Sequence, residues 1–410
     1  MSYFSQIKVA DSATNDAFNR LRVSDPTAIF SVQSQYNTNP LVMETGNTGT
    51  GVAPAHSANT RLVALSCTAG TGTSFTQSYQ YIPYQPGKSQ LMKYTGVLGA
   101  AVTGTVTEIG SFDTDNGILF RQASDGTLSF VRRTKTSGSV VEEVVPQSSW
   151  SVDKMNGTGI SGHTFNVLNS FILVFDAQYL GMGRIRCGFN WNGITYIAHE
   201  FMNANNMTVP YMQTLTLPVQ MLVTSTSSGS TKTAWFKCAA IESEGGLSET
   251  VGLPFSTPVV TATAGNGSYV HLLSIRPKTT FNSITNRTYF VFDDLNLYVS
   301  GANPVDVIIT VGATFSVAPT FADVDTNSSY EYGTGGTVST TGNILYTTFN
   351  PSGSGGSANQ TTNNIHLGIT NPITLNRAGV VRAGGTLSVF VSGIGGTSAT
   401  RGSINYKEIR

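Results

Sequence analysis

From Ile29 onward the apolar residues of this chain recur at every second position, in short runs broken by Gly, Pro, Asn and Ser. A period of two places successive side chains on opposite faces of a strand, so the pattern predicts strands and turns. TLSFVRRT (127–134), VVEEVVP (140–146), FILVFDAQYL (171–180), GRIRCGFNWNGITYIAHEF (183–201) and TAWFKCAAI (233–241) all read this way. Within the fourth run, Asn192-Gly193 stands between two alternating segments. Both residues tolerate positive φ, which makes the pair a strong hairpin signal. A helical period occurs once, within Ala13–Arg22, and Pro26 stops whatever starts there.

The turn-rich interval EGGLSETVGLPFSTP (244–258) divides the chain. Beyond it aromatics thin out and Ser, Thr and Gly increase. HLLSIRPK (271–278), TYFVFDDLNLYV (288–299), VDVIITVG (305–312), ILYTTF (344–349), IHLGI (365–369), TLSVFVSGIG (386–395) and GSINYKEI (402–409) are seven further candidate strands, with PSGSGGSANQTTNN (351–364) a long loop. Short strands at about ten-residue spacing argue for antiparallel sandwiches rather than a parallel sheet with crossover helices. The expected fold is therefore all-β: two antiparallel, jelly-roll-like β-sandwich domains, 51–246 and 247–410, preceded by an extended N-terminal arm, 1–50. That arm is too short and too polar to enclose a core alone.

Composition narrows the function classes. The 410 residues carry 23 basic and 23 acidic side chains, 11% charged in all, against a usual figure of about 25%. A net charge of zero gives no electrostatic footprint for nucleic acid or an anionic membrane. The hydrophobic fraction of 40% is nonetheless enough to fill cores. No window approaches 18 apolar residues, and MSYFSQIKVADSATND lacks the apolar centre of a secretory signal, so synthesis in a cytoplasm without membrane insertion is expected. Cys67, Cys187 and Cys238 show no chelating spacing and read as small buried hydrophobes; neither metal nor cofactor is expected.

Few constellations suggest chemistry. DTDNG (113–117) resembles part of a calcium loop, but Ser124 stands where the closing Glu belongs, so a turn is expected. His199-Glu200 lacks the second His of a zinc motif, and in a strand the two side chains part to opposite faces. The adjacent acids Glu142-Glu143 and Asp293-Asp294 split in the same way and cannot share one scissile bond. GMGRIRCG (181–188) opens a strand rather than a helix, which argues against phosphate binding. His163 and His271 have no acid and nucleophile pattern around them, and the chain reads as a non-enzyme. Tyr79, Tyr81 and Tyr84 form an aromatic cluster, either a glycan-facing surface or one packed face of a sheet.

The stretch DAFNRLRVSDPTAIF (16–30) stands apart, because it packs arginines and aspartates among apolar residues in a charge-poor chain. Phe18, Leu21, Val23 and Phe30 suit burial, and Arg20 and Arg22 suit bidentate contact with carboxylates. These residues are the candidate attachment element, docked on a neighbour or back on the chain's own sandwich; an edge strand or cap of the first domain is the plainer reading. DAFNRLRVSDPTAIFSVQSQY (16–36) resembles the "AFGRLRVS-P-TLFDS---Y" opening of a family of structural proteins of tailed bacteriophages. It departs from that opening at Asn19, where the family has Gly, and at Ser31, where Asp is usual. The resemblance continues through DNGILF (115–120), LSFVRRTKTSGSVVEEVVPQSSWSVDKMNGTG (128–159), YLGMGRIRCGF (179–189), AHEFMNANNMTVPYMQTLTLPVQ (198–220), CAAIESEGG (238–246) and FVSGIGGTSATRGSINYKEIR (390–410). It implies a virion structural protein, capsid- or tail- and fibre-associated, whose partners are copies of itself and other virion proteins. It implies no catalytic or metal residues. An alternative is a tail-fibre-type module binding a host-surface glycan; a glycan hydrolase in the same setting is a third reading.

Overall fold

The computed structural model describes residues 15–16, 26–246, 252–351 and 373–410. Among these residues the regular structure is strand, with two single-turn 3₁₀ segments and no α-helix. The fold is all-β and sandwich-like, built from curled antiparallel sheets in jelly-roll fashion.

Two compact units divide the chain: Met1–Ser78 with Tyr84–Ser248, and Tyr79–Pro83 with Glu249–Arg410. The first holds thirteen strands: β1 (Thr27–Gln33), β2 (Met43–His56), β3 (Val63–Ser78), β4 (Ser89–Val97), β5 (Thr105–Phe112), β6 (Gly117–Gln122), β7 (Leu128–Thr134), β8 (Val141–Pro146), β9 (Phe171–Ala177), β10 (Ile185–Trp191), β11 (Ile194–Phe201), β12 (Val219–Ser228) and β13 (Lys232–Glu244). They form one sheet in the order β11-β10-β9-β4-β13-β3-β12-β5-β6-β7-β8, with β1 added on β13 and β2 on β3.

This sheet folds over on itself because β3 belongs to both faces. Its first half, Val63–Cys67, pairs with β13, and its second half, from Gly70 to Gln77, pairs with β12. Glycines sit at the join: Gly70 has φ +109°, and a Cβ on Gly72 would run into the backbone nitrogens of Thr50 and Gly51. Strands β4, β9 and β10 consequently face β5, β6 and β7. The Tyr94 hydroxyl meets Ser111 Oγ at 2.5 Å, and the rings of Phe175 and Phe130 and of Phe189 and Phe120 lie 6.0 and 5.3 Å apart. Rings at these separations fill the core and contribute beyond their area.

The predicted hairpin forms as expected, with Trp191 opposite Ile194, Asn192 at φ 52° and Gly193 at φ 87°. The expected arm needs correction. From Thr27 the chain is strand, β1 and β2 pair with β13 and β3, and Phe30, Val32 and Met43 are buried. The local sequence is too polar to enclose a core, but a strand needs only one apolar face once long strands such as β13 and β3 supply hydrogen bonds.

In the second unit, Ser398–Ile409 pairs with Leu253–Ser256, Val260–Asn266 and Tyr289–Val299. Opposite it, Leu387–Gly393 pairs with Val270–Pro277 and Val305–Val311. Leu295, Leu297, Ile404 and Tyr406 from the first group pack with Leu273, Ile309, Val389 and Val391 from the second. The candidate strand 365–369 lies outside the described residues.

Candidate functional site

Of the candidate attachment residues, Phe18, Arg20, Leu21, Arg22 and Val23 lie outside the described residues. Phe30 is 6% exposed on β1, where the strand's inward face makes it a core residue rather than a contact for a partner. The near flank of the motif is also held. Asn15 and Asp16 are buried on the first unit. There, Arg186 on β10 and Asp176 on β9 are cross-strand neighbours, both buried to within 1%. Arg186 donates through Nε to Asp176 Oδ2 at 2.9 Å and through Nη2 to Asp176 and to the Asn15 carbonyl. Ser89 Oγ donates to Glu244 at 2.5 Å and lies 3.4 Å from Asp16 Oδ2. Alternation fixes this layout: Arg186, Asp176 and Glu242 share the face opposite to Cys187, Phe175 and Ile241, which point into the core. A charge pair excluded from water needs every lone pair and proton occupied, and the Asn15 carbonyl takes one of the guanidinium protons.

A second charged group spans β5 to β8. Arg121 bonds Glu108 through Nε at 2.8 Å and Glu142 through Nη1 and Nη2 at 2.8 Å each; Arg133 Nε also donates to Glu142 at 2.8 Å. Burial pushes the Glu142 carboxyl up, but Arg121 and Arg133 outweigh it and hold the group below its ordinary value. Glu143 turns to the other face and pairs with Arg132, so the adjacent acids part as expected. The DTDNG segment is a turn: Asp113 Oδ1 accepts from the backbone nitrogens of Asp115 and Asn116, each at 2.8 Å. His199 points inward, 6.5 Å from the Phe130 ring, and Glu200 pairs with Arg184 at 3.8 Å. Ser151 Oγ lies 3.1 Å from His199 Nδ1, and burial lowers this imidazole to about 4.

The three tyrosines separate. Tyr79 and Tyr81 belong to the second unit, where Arg382 lies 3.8 Å over the first ring and Arg287 4.2 Å over the second. Tyr81 is 4% exposed and offers no sugar-stacking surface. Tyr84 belongs to the first unit and meets the Tyr179 ring edge-on at 5.2 Å. Alternation placed Tyr79 and Tyr81 on one face but could not reveal that guanidiniums cover their rings.

A partly exposed aromatic group forms elsewhere, at the end of the β10–β11 hairpin. The His163 ring stacks on Trp191 at 4.4 Å and an interplanar angle of 4°, and Tyr196 meets His163 edge-on at 4.9 Å. Ile194 beside them is 57% exposed, and Leu168 is 61% exposed. Trp191 and Tyr196 continue the inward row of the sandwich past the end of its core. The sequence carried half of this signal, because a two-residue Asn-Gly turn puts Trp191 at a hairpin tip. The approach of His163 comes from a separate loop and has no local signature.

No family model matches the chain, and no curated protein matches it. Solved structures resemble it over about half its length. A Bacillus licheniformis β-glucanase is 12% identical and covers 53% of this chain and 98% of its own, with a TM-score of 0.33. A glycoside hydrolase family protein from Mycobacterium thermorestibile is 9% identical over 52% and 99%, with a TM-score of 0.36. Peanut lectin is 10% identical over 54% and 98%, with a TM-score of 0.31. Enzymes of glycan hydrolysis thus stand among the similar structures, and they overturn the expectation of a non-enzyme, which is not kept. At these identities and scores the resemblance transfers neither an activity nor a ligand to this chain.

Proposed function

We propose that the chain is a structural component of a tailed-bacteriophage virion, present in multiple copies on the head or tail and incorporated through its N-terminal segment. What carries this reading is the resemblance to that family that runs from residues 16–36 to 390–410. The local structure is consistent with it: Asp16 and Phe30, the two flanks of the charged motif, are both buried on the first unit, so the motif is anchored at each end. The anchoring contacts are made within the chain, with Arg186, Ser89 and the core. The test is a full-length variant with Phe18, Arg20, Leu21 and Arg22 all replaced by Ala. Normal folding with loss of incorporation into particles is expected; incorporation at normal copy number would overturn the assembly role.

A second reading, binding of a host-surface glycan, is favoured by the stacked and partly exposed Trp191 and His163 beside Tyr196. Flat aromatic faces receive the C–H faces of sugars, and Tyr and Trp also offer a polar edge. Glycan-array binding by the full chain that disappears in Trp191→Ala would promote this reading over the first.

A further inference from the structure

The second unit carries an open groove of about 300 Å³ with no counterpart in either reading above. It is lined by Val259, Asn296, Leu297, Tyr298, Arg401, Gly402 and Ser403. Strand pairing sets these side chains side by side. Tyr298 is directly opposite Arg401 and Asn296 directly opposite Ser403, so all four share one face, while Leu297 and Gly402 between them face the core. A Cβ on Gly402 would come within 3.0 Å of the Leu272 and Leu297 side chains, so only glycine packs here without displacing the core.

Three observations point to a ligand. Arg401 is exposed, and among the described residues it is the arginine with no ion pair, hydrogen bond or ring contact. In a chain with so few charges the other described guanidiniums are engaged, for example Arg121 with Glu108 and Glu142, or Arg276 with Glu331. Tyr298, 40% exposed, is the cross-strand neighbour of Arg401, and Val259, 60% exposed, extends the apolar side. Asn296 and Ser403 make no side-chain hydrogen bond among the described residues, although Ser403 is only 6% exposed.

We propose that this groove binds a carboxylate-bearing sugar, either a single residue or the end of an acidic glycan. The guanidinium fork matches a carboxylate bidentately, a geometry that a point charge lacks. The Tyr298 face takes the C–H side of the ring, while the Asn296 amide and the Ser403 hydroxyl exchange hydrogen bonds with ring hydroxyls. The volume lies at the low end of ligand pockets, which run from about 300 to 1,000 Å³, and sets the size of the ligand. The site stands independently of virion assembly, because it is read on the purified chain.

The experiment is titration of the full-length chain, by calorimetry and by ligand-observed NMR, with glucuronate, with glucose and with inorganic phosphate. Glucuronate is expected to bind at least about tenfold more tightly than glucose or phosphate. Arg401→Gln is expected to lose about tenfold or more, with an unchanged circular dichroism spectrum and melting temperature, and Tyr298→Ala to lose less. Equal affinity for phosphate would reduce the groove to a plain anion site and overturn the proposal. So would equal affinity for glucose, full binding by Arg401→Gln, or no saturation by glucuronate at about 20 mM.

Discussion

Lys232 offers a sharp test of how the first unit manages buried charge. It sits at the start of β13, 1% exposed, and Nζ donates to the carbonyls of Leu98 at 2.7 Å and Ala100 at 2.7 Å and to Gln122 Oε1 at 2.6 Å. Burial pulls the ammonium from its ordinary 10.5 to about 8. Between those values the unfolded chain holds a proton that the folded chain has released. Raising the pH therefore favours the folded state, and this contribution grows from pH 8 to pH 10.5. Linkage with those two values gives a gain of about 2 kcal/mol between pH 7.5 and 9.5. Lys232→Met removes the titration. It also strips the donor from the Leu98 and Ala100 carbonyls, which costs about 1–3 kcal/mol for each group left unpaired. The variant should be less stable at every pH, yet lack that rise. Trp150, Trp191 and Trp235 all lie in the first unit, so urea unfolding followed by tryptophan fluorescence isolates it. Tyrosines also titrate at high pH, and subtracting the variant's curve from that of the natural chain cancels them. Parallel curves for the two proteins would refute the assignment of a desolvated ammonium.

Three further outcomes follow from the same structure. Asp176→Ala should destabilise the first unit by about 3–5 kcal/mol in urea unfolding, because Arg186 is left charged and buried, and Asp176→Leu with Arg186→Met should recover most of the loss. His199, lowered by burial from 6.5 to about 4, is neutral in the folded state, whereas the unfolded chain gains a proton as pH falls through 6.5. Stability should drop by about 2.5 kcal/mol between pH 8 and 4.5 through this group, and His199→Gln, compared by the same fluorescence assay, should remove that part of the acid sensitivity. Gly72→Ala should weaken the β2–β3 pairing, seen as faster amide exchange in both strands, since its Cβ would press on the backbone of Thr48 to Gly51; unchanged exchange would show that β3 does not need glycine at its bend.

Alternation and turn chemistry were enough to establish that the chain is all-β, to place runs such as 128–134, 171–177 and 289–299 as strands, and to locate the hairpin at Asn192-Gly193. The same rule parted Glu142 from Glu143 and His199 from Glu200, because a period of two is a local property of the backbone. What it could not supply was the partner of each strand. β1 reads as a polar arm until β13, some 200 residues away, accepts it along Thr27–Gln33. Tyr79 and Tyr81 read as one aromatic face until Arg382 and Arg287 arrive from distant parts of the chain. Neither Arg186 nor Arg401 differs in local sequence from an ordinary solvated arginine. One is sealed against Asp176 and the Asn15 carbonyl, and the other is left open beside Tyr298. Register between distant strands decides such neighbourhoods, because it is set by summing many weak contacts over the whole sheet, and no single segment carries that sum.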